Sequence, residues 1–149
     1  MGEELGITEE YLKIQKMRFS SRLNVDVRHD RKLEQAVTLP RFTLQPLVEN
    51  AVIHGLEPKE EGGTLILDVR KTGNYIRIRI CDNGMGIEKE RLERIRRRLS
   101  EKQPERIGVW NIWQRLSLYT GRDDSLKIMS KKGAGTIVSI YLHRGEEDV

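Results

Sequence analysis

Residues 75–80, Tyr-Ile-Arg-Ile-Arg-Ile, set aliphatic and basic side chains in strict alternation. Successive side chains of a strand point to opposite faces, so Ile76, Ile78 and Ile80 share one face and Arg77 and Arg79 the other. A strand of this kind has one dry side and one wet side. That argues for an antiparallel sheet covered by helices on a single face. Leu23-Asn-Val-Asp-Val-Arg28 alternates in the same way. Thr64 to Lys71 reads as a further strand, joined to Tyr75 through a Thr72-Gly-Asn turn. Ser125 to Ser130 and Thr136 to His143 read as two more, hinged on Lys131-Lys-Gly-Ala-Gly135.

The helices that cover such a sheet have to carry their own apolar stripes. Leu44 to Gly55 places Leu44, Leu47, Val48, Ala51 and Val52 on one stripe at helical spacing. Gln45, Glu49, Asn50, Ile53 and His54 take the other side, with Asn50 and His54 one turn apart on a shared face. Thr43 is the expected N-cap, and Pro46 falls in the first turn, where a missing N–H costs little. Gly55 and then Pro58 are the expected stop. Residues 8–19 predict a helix opening on Thr8, with Tyr11, Ile14, Met17 and Phe19 as its apolar side. Residues 88–99 have helical period but are mostly Glu, Lys and Arg. A polar loop from Ser100 to Arg106 follows, then a second apolar-striped helix from Val109 to Tyr119, ending at Gly121. Strand and helix do not alternate cleanly. The order therefore predicts an α+β two-layer sandwich, its sheet mixed and mostly antiparallel, with helices on one face.

A chain of 149 residues suits one domain with a real core. Charges of both signs are interleaved and the net charge is only +4, which describes a solvated surface and leaves a basic nucleic-acid-binding domain as a weak third reading. The lone Cys81 excludes an internal disulfide, fits a reducing compartment and reads as a small core residue beside Ile80. No apolar run approaches the roughly 20 residues of a membrane span, and no signal peptide is visible. The Met1-Gly2 start fits a piece cut from a longer protein. The acidic tail, Gly145 to Val149, reads as disordered.

Four clusters bear on chemistry. A Glu49-Asn50 pair with His54 one turn on is an odd cargo for a packed helix unless something polar faces it. Asp82-Asn-Gly84-Met-Gly86 follows directly on the alternating strand. Its glycines let backbone come close to a flat or anionic ligand, and a carboxylate at a strand end can accept from a ligand amine. The same residues also suit a tight Asx turn. Ile107-Gly108-Val-Trp-Asn111 opens a helix whose free N–H groups suit phosphate, although alone it reads as a plain helix start. Gly133-Ala-Gly135-Thr136 alone reads as a hairpin turn. Trp110 and Trp113 read as packing. Arg96-Arg97-Arg98 is a solvated helix face or a reach towards phosphates. There is no GxxxxGK[ST] loop, no serine nucleophile elbow and no zinc-ligand spacing.

Taken together, the clusters resemble the ATP-binding domain of sensor histidine kinases, in the superfamily shared with gyrase, the large ATP-dependent chaperone and the mismatch-repair ATPase. Glu49-Asn50 with His54 is similar to that family's asparagine box. Asp82 to Gly86 is similar to its first glycine box, Gly108 to Asn111 to its second, and Gly133 to Thr136 to its third. Leu-Gln-Pro-Leu-Val-Glu-Asn-Ala, Asn-Ile-Trp-Gln-Arg-Leu and Tyr11-Leu-Lys-Ile-Gln-Lys-Met-Arg-Phe resemble the LytS/YesM-like membrane-sensor branch most.

The resemblance implies a protein histidine kinase catalytic domain that binds ATP and Mg²⁺. Asn50 would ligate the metal and Asp82 would accept from the adenine amine. Gly84 and Gly86 would pass close to the base, with Gly135 and Thr136 supporting the adenine side. Residues 88–106 would form a mobile lid. His54 and Gly108 would face the phosphates, and Asn111 would belong to the same box. Arg106 stands where the family has a glycine and would add a phosphate contact. Pro46 replaces the general-base glutamate of hydrolysing relatives, which leaves Glu49 as the candidate to orient a nucleophile. The acceptor histidine would lie on a dimerisation domain absent from this chain. Residues 1–21 would then be its helical linker, 22–144 the ATP-binding domain and 145–149 the tail. The implied partners are that domain, a response regulator and, in the full-length protein, a second copy. The implied place is the cytoplasmic side of a membrane-anchored parent. The alternative is a same-fold regulatory module, anti-sigma-like, without phosphotransfer to histidine.

Overall fold

The structure is a computed structural model that describes residues 1–102 and 108–143, and only the backbone of residues 35 and 36. The polar loop beyond residue 102 and the acidic tail lie outside the described residues.

Five strands, β1 (Leu23–Arg28), β2 (Gly63–Thr72), β3 (Tyr75–Asp82), β4 (Leu126–Lys131) and β5 (Gly135–His143), form one sheet in the order β1-β2-β3-β5-β4. Short turns make β2–β3 and β4–β5 antiparallel hairpins, and β3 pairs antiparallel with β5. β1 runs parallel to β2 because a long helical crossover separates them. The register stacks Leu67, Ile80, Val138 and Ile128 across four strands on one face. Ile76, Ile78, Ile80, Leu65, Leu67 and Ile140 on that face are buried to 2% exposure or less. The expected one-sided α+β sandwich is what forms.

Cys81 corrects one expectation. It shares the register face of Arg77 and Arg79, opposite Ile80, and is half-buried in a row with Ile66, Ile137 and Met129. Strand alternation by itself assigns it there.

The helices depart further from expectation. Helix α1 spans Gly2–Phe19, beginning six residues before the predicted start (Gly2 against Thr8). Thr8 is a buried mid-helix residue whose Oγ1 donates to the Glu4 carbonyl at 2.7 Å. The longer helix packs through Leu5, Thr8 and Leu12, and leaves Ile14 61% and Met17 84% exposed. Leu5 and Leu12 stand two turns apart, and the predicted stripe of Tyr11, Ile14, Met17 and Phe19 contains neither.

A short helix α2 (Arg31–Ala36) was not predicted; six residues are too few for a period to show. Asp30 caps it, with Oδ1 accepting from Lys32 N at 2.9 Å. Helix α3 (Leu44–Asn50) buries Leu44, Leu47 and Val48 as expected. Thr43 holds the N-cap position as expected, but its side chain makes no capping hydrogen bond, because Thr43 Oγ1 donates instead to the Pro40 carbonyl at 2.6 Å. After Asn50 the coil widens into a π-helical segment, Ala51–Leu56, closed by Glu57 N donating to Val52 O at 2.8 Å. Gly55 sits inside this segment rather than ending a helix.

Helices α4 (Lys89–Ser100) and α5 (Gly108–Thr120) follow β3. Trp110 and Trp113 of α5 are buried with ring centroids 4.9 Å apart, and Trp113 Nε1 donates to the Asp123 carbonyl at 3.0 Å. They are packing residues, as expected.

Candidate functional site

A cleft of about 430 Å³ opens where α3 and the π-helical segment, the end of β3, α4, the start of α5 and β5 meet. It is lined by Asn50, His54, Asp82, Gly86, Gly108 and Thr136, which come from all four of the sequence clusters. A larger groove, about 550 Å³, lies on the open side of the sheet around Ile66, Cys81, Ile137 and Met129. The smaller cleft is the chemical candidate, because it alone gathers the amide, the imidazole and the carboxylate.

Asp82 is the last residue of β3, in register between Leu65 and Thr136. Its Oδ1 accepts from Gly84 N at 2.9 Å. Burial pushes this carboxyl above its ordinary range, partly offset by the backbone N–H groups of Gly84 and Thr136 that favour the charged form. A fixed acceptor with little water around it is suited to reading one donor on a ligand.

The loop after Asp82 is fastened to the π-helical segment. The Gly55 carbonyl accepts from Met85 N at 2.8 Å, while Lys59 N turns to the Leu56 carbonyl at 3.1 Å. The widened coil thus frees one carbonyl for a neighbour, a common use of π-helical turns at functional sites. A Cβ on Gly84 would stand 2.1 Å from Gly55 O, and one on Gly55 would stand 2.8 Å from Asp82 Oδ1. Gly84 is small because the helix backbone leaves no room, and it is buried under that backbone rather than lining the cleft.

Asn50 stands at the junction of α3 and the π-helical segment. Its Nδ2 lies 4.0 Å from the place a Cβ of Gly108 would take. Among the described residues the side chains of Asn50 and His54 have no hydrogen-bond partner, and both line the cleft. Also among the described residues, no three His, Cys, Asp or Glu side chains cluster to hold a metal unaided. A Mg²⁺ at Asn50 would therefore take most of its ligands from phosphate and water, which is how that ion is commonly held. The lone amide oxygen fits such a role.

The remaining expected residues fall elsewhere. Glu49 Oε1 accepts from Gln45 Nε2 at 3.0 Å, and Glu49 does not line the cleft. Asn111 is exposed on α5 and also outside the lining. Gly135 lines the larger groove, where its Cβ would lie 1.9 Å from the Asp82 carbonyl oxygen. Arg106 lies outside the described residues.

Two contributors escaped the sequence reading. Gly55 was read as a helix stop. Arg91 stands outside the Arg96-Arg97-Arg98 run that draws attention in the sequence. Arg91 and Ile95, four apart on α4, both line the cleft. Arg96 instead donates through Nε to the Ile128 carbonyl on β4 at 3.2 Å. Arg91 and Arg96 are five positions apart on α4, roughly 140° around the axis, which puts them on different faces.

Residues 35–146 match the family described as histidine kinase-, DNA gyrase B- and HSP90-like ATPases. The chain belongs to this family. Its relatives include the Bacillus subtilis (strain 168) protein YwpD, 40% identical over 144 residues, covering 96% of this chain and 49% of that one. They also include the Escherichia coli (strain K12) sensor histidine kinase YpdA, 31% identical over 140 residues, covering 94% of this chain and 24% of that one. The catalytic domain of histidine kinase ThkA superposes with a TM-score of 0.64 at 13% identity, covering 100% of this chain and 95% of that one. The Erythrobacter litoralis EL346 blue-light activated histidine kinase domain gives 0.60 at 20% identity, covering 88% and 56%. These structures share the ATPase-family fold. The chain spans half or less of the length of those curated relatives. Among the described residues no helix is long and apolar enough to cross a membrane.

Proposed function

We propose that this chain is the ATP-binding catalytic domain of a sensor histidine kinase of the LytS/YesM-like branch. The observation that carries the reading is the shared cleft: Asn50 and Asp82, from separate elements, line one cavity together with His54, Arg91 and Gly108. Asp82 accepts from the adenine amine. Thr136 flanks it, and Gly135 allows the close strand approach behind it. Asn50 offers an amide oxygen to Mg²⁺, which when bound would neutralise phosphate charge. His54, Arg91 and the backbone at Gly108 donate to the phosphates. Glu49, tied to Gln45, orients the segment around Asn50.

The transfer itself needs little from this chain beyond positioning. An imidazole nitrogen of the acceptor bonds to the γ-phosphorus while the β–γ bridging P–O bond breaks and ADP leaves. The acceptor lies on a dimerisation domain outside these 149 residues, to which residues 1–21 form the helical linker. Residues 22–144 are the nucleotide domain, and 145–149 an acidic tail. The parent would act as a membrane-anchored homodimer with this domain on the cytoplasmic side, passing phosphate to a response regulator.

Calorimetric titration of Mg·ATP, with GTP as control, tests the site. Saturable ATP binding with GTP excluded is expected; equal binding of both, or of neither, overturns the adenine assignment. Phosphorylation of an added histidine-helix fragment in trans separates a kinase from a same-fold regulatory module.

A further inference from the structure

Helix α3 opens on a turn that cannot satisfy its own donors. It has seven residues, and its first backbone N–H groups find no partner within it. Its entry turn receives that support from a distant side chain. Glu4 of α1, only 8% exposed, accepts from the backbone N–H groups of Phe42 at 2.8 Å, Thr43 at 3.2 Å and Leu44 at 3.1 Å. A second helix grips the same turn from its other side. Arg115 Nη1 of α5 donates to the carbonyls of Arg41 at 2.6 Å and Phe42 at 2.9 Å. Phe42 is thus held at both its N–H and its carbonyl. Its φ of +62° lies in the left-handed region, which a side chain of this size rarely adopts. Backbone in such a conformation persists only where its surroundings over-determine it, and here two opposite charges do so.

The far ends of both gripped helices reach the cleft. Asn50 ends α3, about 9 Å along the axis from Leu44. Gly108 begins α5, about two turns from Arg115. We infer that Glu4 is a positioning residue for the nucleotide cleft. It anchors a latch at residues 41–44, closed by Arg115, that sets where α3 presents Asn50 and couples α1 to the metal side of the site. A shift of α1 would pull the carboxylate, relax the Phe42 turn and move Asn50 relative to Gly108. The adenine side would move less, because Asp82 is held within β3 between Leu65 and Thr136 and by Gly84 N, and meets the coil after α3 only through the Gly55–Met85 junction.

The inference rests on the proposed function, and its test separates the two. ATP affinity of the 149-residue chain is measured with Mg²⁺ and in EDTA for the wild type, Glu4→Gln, Asn50→Ala and the double variant. The amide of Glu4→Gln has one accepting oxygen in place of two, so backbone donors lose their partner. Glu4→Gln is expected to cut the magnesium-dependent gain in affinity roughly tenfold or more, the scale of supports that orient a metal ligand. It should leave ATP binding in EDTA unchanged and add nothing on top of Asn50→Ala. Equal loss in both conditions, or full additivity, makes Glu4 a merely structural residue and overturns the inference. If Glu4→Gln does not fold, Arg115→Gln, which alters the outer grip, reads the same ratio. A smaller loss in the same direction is expected, and an unchanged ratio overturns the latch. A wild-type chain that binds no Mg·ATP overturns the function and the latch together. Wild-type binding with an unaltered magnesium gain in Glu4→Gln overturns the latch alone.

Discussion

The carbonyl oxygen of Gly55 accepts the amide of Met85 at 2.8 Å, so the helical segment after Asn50 and the loop after Asp82 are joined backbone to backbone. The junction has no room for a side chain, since a Cβ at position 84 would stand 2.1 Å from that same oxygen. Gly84→Ala must therefore push the loop off the helix. Overpacking of this kind costs about 1–3 kcal/mol, and losing the Gly55–Met85 hydrogen bond adds to it. Urea unfolding should show that loss. ATP affinity should fall with it, because the two halves of the cleft separate. A Gly84→Ala chain with unchanged stability would mean that the contact is not tight.

Asp82 couples stability to pH in an unusual direction for a carboxylate. Burial holds it above its ordinary range, so the protonated form is favoured by the fold. Its contribution to stability is full below the value of the unfolded chain, about 3.9, and is lost as pH rises through the folded value. Asp82→Asn removes this term. The nucleotide-free variant is expected to melt no lower than wild type at pH 7 and to show a flatter rise in stability on acidification. Its ATP affinity is expected to fall by at least about 1.5–3 kcal/mol, the loss of a charge-assisted hydrogen bond. Melting curves across pH 4–8 beside a calorimetric titration check both halves. A variant that is less stable and binds ATP normally would remove Asp82 from the adenine.

Arg91 and Arg96 give a paired comparison on one helix. Arg91 lines the cleft, whereas Arg96 is spent on the Ile128 carbonyl at the sheet edge. Arg91→Gln should weaken ATP binding by about 1 kcal/mol, the modest scale of an exposed cation, and should leave adenosine binding alone. Arg96→Gln should leave ATP affinity unchanged. Fluorescence titrations at two salt concentrations decide the matter: if adenosine and ATP weaken equally in Arg91→Gln, the side chain does not serve the phosphates.

The sheet was legible because strand alternation is a local property: Ile76, Ile78 and Ile80 declare their face without help from the rest of the chain. So was the stripe from Leu44 to Val52. What the sequence hid was set by distant partners. Thr8 and Thr43 are good caps by type, yet at Thr43 the accepting is done by a carboxylate 39 residues away in the chain, and Thr8 is overrun by a helix that starts earlier. The π-helical turn carries the Gly55 carbonyl to Met85, a pairing across the chain that no local pattern announces. In the site, motif order pointed to Asn50, His54 and Asp82, whose side chains do share a cleft. Glu49 and Asn111 neighbour those motifs but face elsewhere, a matter of helix roll that spacing leaves open.

Asn50 yields the most selective test of the metal site. Its side chain has no hydrogen-bond partner among the described residues and faces the cleft beside Gly108. Removing it breaks nothing in the empty protein, and alanine is the better helix former. Asn50→Ala should then unfold within about 0.5 kcal/mol of wild type. With ATP the outcome should depend on the ion. If the amide oxygen completes a Mg²⁺ shell otherwise made of phosphate and water, the variant loses tenfold or more in affinity with Mg²⁺, about 1.4 kcal/mol. In EDTA it should lose almost nothing. Asn50→Asp keeps an oxygen at the same place and should retain most of the magnesium dependence. Equal losses in the two buffers for Asn50→Ala, at unchanged stability, would place the amide against the nucleotide itself and leave the ion without a protein ligand.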